Sequence, residues 1–228
     1  DAANRIEKAV GAVPSERGDT LSLRHVPPDR SGQSDASISL GNATTGRLER
    51  GKAIPLEGAG YRVIDVTRQR GFVFGTDGLI SAVQRAAAGV AKQFPGSILR
   101  VGNLSREGGG DIPQSVSHNS GRDVDLGFYV ATGRGVAADA KGYVLFNADG
   151  RSEGDGSALL FDARRNWALV VELLSDRGVQ VQYIFVADWL RDILLDVAIR
   201  SGAEQELIVR AEAVLRQPEN SSPHAEHF

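Results

Sequence analysis

From Asp77 the apolar residues fall at helical spacing, with Leu79, Ile80, Val83, Ala87, Val90 and Phe94 on one face, until Pro95-Gly96 stops the run. The pattern predicts a helix with Asp77 as its N-cap. Before it, Tyr61 to Val66 reads as a strand, and after it Ile98 to Val101 as a short apolar one. A loop from Gly102 to Ser117, containing Gly108-Gly109-Gly110, leads to a strictly alternating stretch. There Val124, Leu126, Phe128 and Val130 face one way and Asp123, Asp125, Gly127 and Tyr129 the other. Tyr143 to Phe146 is a further candidate strand. Asp162 opens a helix with Trp167, Val170, Val171 and Leu174 inside, so Trp167 and, on the later stripe, Trp189 read as core. Val179 to Val186 is predicted as a strand, Trp189 to Arg200 and Ala203 to Arg216 as helices, and Pro218 to Phe228 as an irregular tail.

Helices and strands mix without a regular βαβ repeat, which predicts an α+β fold. The expected form is a small, mostly antiparallel sheet flanked by helices, with any site on the open face of the sheet. Residues 1–36 stand apart: a possible short helix from Ala2 to Val13, then a turn-forming mix of Pro, Gly, Ser and Asp. They read as an N-terminal arm or linker, leaving residues 37–228 as the main domain.

Composition narrows the chemistry. With 228 residues, 41% hydrophobic and 24% charged, the chain has a globular balance and no apolar run long enough to span a bilayer. A net charge of −3 argues against general nucleic-acid binding. The absence of Cys excludes disulfides, thiolate metal sites and Cys nucleophiles together. Met is absent even at position 1, so the start is expected to have been removed, by cleavage of a secretory peptide or by trimming.

Four histidines remain for site chemistry. His25 lies in the proline-rich arm and reads as solvated. His118 precedes Asp125 by seven residues across a turn that Gly121 permits. An imidazole and a carboxylate so presented supply two of the three protein ligands of a catalytic zinc; alternatively His118 caps a turn and the aspartates are solvated. Asp123, on the same face as Asp125, is either an outer partner of a ligand imidazole or a solvated carboxylate. His224 and His227 are metal ligands, acid–base groups or part of an exposed tail. Arg68, Arg70 and Arg122 are candidate receptors for substrate carboxylates or simple ion-pair partners. The Gly108–Gly110 run lacks the following Lys-Ser/Thr of a phosphate loop and reads as a cleft rim.

Taken jointly, Ser117 to Leu126 (SHNSGRDVDL) and the later PHAEHF resemble the penicillin-insensitive murein endopeptidases, within the lysostaphin and D-Ala-D-Ala carboxypeptidase group of zinc peptidases. Shorter resemblances run from Ile38-Ser39-Leu40-Gly41 through Gly58–Val63 to Tyr183–Val186. The resemblance implies a periplasmic, zinc-dependent hydrolase of D-alanyl–meso-diaminopimelyl cross-links in peptidoglycan, indifferent to β-lactams because it uses no Ser nucleophile. It implies His118 and Asp125 as zinc ligands, and His224 and His227 as the histidines that handle protons. The third ligand of the family pattern is expected at the position after Phe228, and a family His three residues before the first ligand is here Ser115. The rival expectation is a metal-free relative that binds peptidoglycan or a partner without cleaving it.

Overall fold

A computed structural model describes residues 35–154, 159–219 and 221–228. The predicted Ala2–Val13 helix and His25 lie outside the described residues. The fold is α+β, with five helices and several small, mostly antiparallel sheets among those residues. The single sheet expected from the sequence is divided, because most strands are only two or three residues long.

The sheet that matters most has four strands in the order Glu57–Gly58, Tyr61–Val63, Leu99–Val101, Leu126–Gly127. Its inner pair, Tyr61–Val63 with Leu99–Val101, is parallel, and the outer pairs are antiparallel. Between the parallel strands run helix α1 (Asp65–Arg70) and helix α2 (Asp77–Gln93). The strand predicted to reach Val66 stops at Val63, since the next residues enter α1, which ends at Gly71 in the left-handed conformation. The N-cap of α2 is Thr76, whose hydroxyl accepts from the Leu79 N–H at 3.2 Å; Asp77 occupies the first turn.

The α2 stripe is buried as its spacing predicts: Leu79, Ile80, Val83, Ala87 and Val90 are at most 7% exposed. Burial of each large member contributes about 1.5–3 kcal/mol. Helix α3 (Ala163–Ser175), capped by the Asp162 carboxylate, packs on α2 and carries the buried Trp167, Leu169, Val170 and Leu174. Helices α4 (Asp188–Arg200) and α5 (Gln205–Val214) close the core behind α3. Trp189 is half-buried, its indole N–H donating to the Phe146 carbonyl.

Three expectations are corrected by tertiary pairing. The alternating stretch 123–130 is not one strand: Leu126–Gly127 joins the four-stranded sheet, whereas Val130–Thr132 joins a sheet with Ala137–Ala138 and Leu159–Phe161. Tyr143 to Phe146 forms no strand, only a bridge from Phe146 to Ser152. The helix predicted to reach Arg216 ends at Val214, because Leu215–Arg216 turns out to pair in parallel with Ile184–Phe185.

The tail is not loose. Phe228 exchanges backbone hydrogen bonds with Leu126 in both directions, at 2.9 and 3.1 Å, and His227 bridges Gly127. Ala225 and Phe228 are buried, and the Phe228 ring meets Phe128 edge-on at 4.7 Å. The tail thus extends the edge of the four-stranded sheet and brings its histidines beside Asp125. Among the described residues no helix is long and apolar enough to cross a membrane.

Candidate active site

Asp125 is fixed by the chain opposite it. Its N–H donates to the Asn103 carbonyl at 2.9 Å, its carbonyl accepts from Gly102 at 2.8 Å, and its Oδ2 accepts from the Asn103 side-chain amide at 3.1 Å. Oδ1 is left to face two imidazoles: His118 Nε2 at 3.0 Å and His227 Nε2 at 3.7 Å.

His118 sits in the loop between the Gly-rich turn and Asp125, 3% exposed, with φ +69. A non-glycine residue in that left-handed region is strained, and such strain concentrates at functional sites. The surroundings enforce it. The His118 N–H donates to Asp123 Oδ2 at 2.9 Å and its carbonyl accepts from the Ser105 hydroxyl. Ser105 is itself pinned by backbone bonds to Phe74, and its oxygen accepts from the Gly121 N–H at 2.8 Å. Asp123 is therefore neither solvated nor a partner of the His118 ring: it is buried and holds the His118 backbone. The Gly108–Gly110 run borders this loop, with the Gly109 and Gly110 N–H groups donating to the Arg106 and Asn119 carbonyls.

The tail supplies the other two histidines. The His224 carbonyl accepts from Ala187 N–H at 2.8 Å, and its ring meets His227 at 5.3 Å and Phe185 at 5.5 Å. The His227 ring stacks on Tyr143, centroids 4.6 Å apart and planes 26° apart. Tyr143 enters the site where Gly102 leaves room: a Cβ there would overlap its hydroxyl.

Charge follows from this geometry. Burial would lower the His118 pKa, but the carboxylates of Asp125 and Asp123 outweigh it and raise it. Burial would raise Asp125, yet the His118 imidazole, His227 and the Asn103 amide together hold it below the usual carboxylate range. Burial raises Asp123. His224 is pushed down by burial and then by the neighbouring His227, which favours its neutral form at neutral pH. Burial, with Asp125 and Glu226 nearby, pushes the Tyr143 phenol far up, so it stays a protonated donor.

Of the residues singled out in the sequence, His118, Asp125, His224 and His227 converge. Asn103, Ser105 and Tyr143 complete the cluster and were not singled out for it; a polar Asn and Ser in a glycine-rich loop are too common to signal a site. The three arginines lie differently. Arg68 pairs loosely with Asp65 on the exposed face of α1, Arg70 ends that helix in the open, and Arg122 donates to the Gly41 carbonyl and Ser120 hydroxyl.

Among the described residues no group of three or more His, Asp and Glu side chains is arranged to hold a metal ion. The His118–Asp125 pair nonetheless has suitable donors and spacing for two ligands. Two atoms on a tetrahedral zinc with bonds of about 2.0–2.1 Å lie about 3.3 Å apart, close to the observed 3.0 Å.

Residues 39–144 match the penicillin-insensitive murein endopeptidase family. The match covers a little under half of the chain and marks what this segment is similar to. The match takes in Asn103, His118, Asp125 and Tyr143, whereas His224 and His227 lie beyond it. No curated protein matches the chain.

Proposed function

We propose that the protein is a zinc-dependent murein endopeptidase that hydrolyses D-alanyl–meso-diaminopimelyl cross-links in peptidoglycan, acting in the periplasm. The observation that carries this reading is the convergence of His118, from mid-chain, and His227, from the tail, on one Asp125 oxygen, in a chain whose residues 39–144 match a murein endopeptidase family. In it His118 and Asp125 would hold the metal.

Zinc, when bound, supplies a Lewis acid that acidifies water toward a pKa of roughly 7 and polarises the scissile carbonyl. The chain's own groups do the rest. Asn103 keeps the Asp125 carboxylate oriented, and a depressed pKa keeps it charged. His227, braced by Tyr143, takes the proton of the attacking water at Nε2, the nitrogen facing Asp125, and returns it to the leaving amine. Neutral His224 offers a hydrogen bond to the oxygen that gains charge as the carbonyl is attacked.

One observation favours the rival, a metal-free relative that binds peptidoglycan: among the described residues no group of three or more His, Asp and Glu side chains is arranged to hold a metal ion. The deciding experiment incubates the full-length chain, supplied with zinc, with cross-linked muropeptides and identifies products by mass spectrometry. Metal content is measured on the same sample. Stoichiometric zinc with monomers released at the cross-link is expected. Zinc-free protein that binds but never cleaves would favour the rival, and release of terminal D-alanine alone would make it a carboxypeptidase.

A further inference from the structure

A continuous line of rings leads away from the histidine pair. His224 meets Phe185 at 5.5 Å, and Phe185 stacks with Tyr183 at 6.2 Å with their planes 7° apart. At the end of the line the Arg216 guanidinium carbon lies 3.5 Å above the Tyr183 ring and 5.9 Å from that of Phe185. This arrangement follows from the parallel pairing of Ile184–Phe185 with Leu215–Arg216, which sets Arg216 beside Phe185.

Stacking engages the face of a guanidinium and leaves its N–H edge free. Arg216 is exposed, and no carboxylate pairs with it among the described residues. Nearby arginines differ: Arg191 donates to the Leu215 carbonyl, Arg100 is paired with Asp139, and Arg122 is bonded to backbone. Arg216 thus presents a planar, always-charged fork held in place by rings, which matches a carboxylate in two-pronged fashion. The steps from Arg216 to Phe185 and from Phe185 to His224 together span less than about four extended residues, within the reach of a peptide lying across the histidines.

We propose that Arg216, seated on Tyr183 and Phe185, receives a free carboxylate of the peptide substrate at a subsite beyond His224. The proposal rests on the peptidase reading above and adds the group that would orient the peptide along the aromatic line. It names a different arginine from those the sequence suggested.

The probe is a peptidoglycan stem tetrapeptide, in free-carboxylate and fully amidated forms, titrated by calorimetry into the full chain. Wild type, Arg216→Ala and Arg216→Lys are compared, with thermal unfolding as the folding control. Arg216→Ala should weaken the free form about tenfold, the low end for a charged hydrogen bond at a solvent-facing position. It should leave the weaker binding of the amidated form within about twofold, and Lys, which keeps the charge but not the fork, should fall between. Equal loss for both forms, loss for neither, or no binding of either by wild type would overturn the proposal. Hydrolysis of cross-linked muropeptides, measured alongside, separates the two ideas. Cleavage without carboxylate discrimination sinks the subsite alone, whereas discrimination without cleavage sinks the peptidase reading and leaves the subsite standing.

Discussion

Replacing Gly102 with Ala would put a methyl group where the Tyr143 hydroxyl now lies. The added Cβ would overlap that hydroxyl, stand 2.7 Å from Tyr143 Cζ and come to 3.0 Å from Asp125 Cβ. Asp125 is held by the Asn103 side chain and by backbone bonds to residues 102 and 103, so Tyr143 is the partner that must move. Leaving its place, it gives up the 4.6 Å stack on His227, worth about 0.5–1.5 kcal/mol for an aromatic pair. Overpacking of this kind destabilises by about 1–3 kcal/mol. If His227 then shifts by an ångström, turnover falls by roughly 100-fold. The assay is a cycle of Gly102→Ala, Tyr143→Ala and the double variant, read by urea unfolding and by hydrolysis of cross-linked muropeptides. Since Tyr143→Ala removes the group the methyl strikes, the double variant should be about as stable as Tyr143→Ala alone. Fully additive losses, or a Gly102→Ala protein as stable as wild type, would refute the reasoning. The stability arm holds whether or not hydrolysis is detected.

Asp125→Ala should abolish both zinc binding and turnover, while Asp123→Ala, which frees the strained His118 backbone, should lower both by about 10–100-fold; equal tolerance of the two changes, by elemental analysis and activity, would unseat the ligand assignment. If His227 is the base, His227→Ala should lose most turnover yet keep its metal, read by activity and elemental analysis; loss of the metal in that variant would make His227 a ligand instead. Asp176 accepts from Arg85 at 2.7 Å and from the Gly178 and Val179 N–H groups, and its pKa is lowered, chiefly by Arg85. A depressed carboxylate stabilises the fold above its unfolded pKa of about 3.9 and loses that contribution as pH falls through the lower folded value. Asp176→Asn should therefore cost about 1–2 kcal/mol near pH 7, allowing for solvent screening of Arg85; the difference in urea midpoints should shrink below about pH 4, and a constant difference would reject the linkage.

The local pattern was enough for the α2 and α3 stripes, because a helix closes its hydrogen bonds within itself and its buried face repeats every three or four residues. For His118, Asp125, His224 and His227 the pattern alone left turn-capping, solvated and exposed-tail readings open, and it was the joint resemblance of Ser117–Leu126 and the PHAEHF tail to a peptidase family that linked them. What surrounds them was decided in three dimensions. The stretch from Asp123 to Val130 alternates like one strand, yet it is divided because its halves find partners in different sheets, and Phe128 and Tyr129 are both buried at the break. The tail has no periodicity to read; its order comes from Phe228 pairing with Leu126 and packing on Phe128, a hundred residues away. Tyr143 read as part of a strand, but its place over His227 depends on the space left by Gly102. Asn103 and Arg216 likewise acquire their settings only once distant strands are paired. A strand completes its hydrogen bonds, and a site its shape, with residues remote in the chain, so neither leaves a local trace.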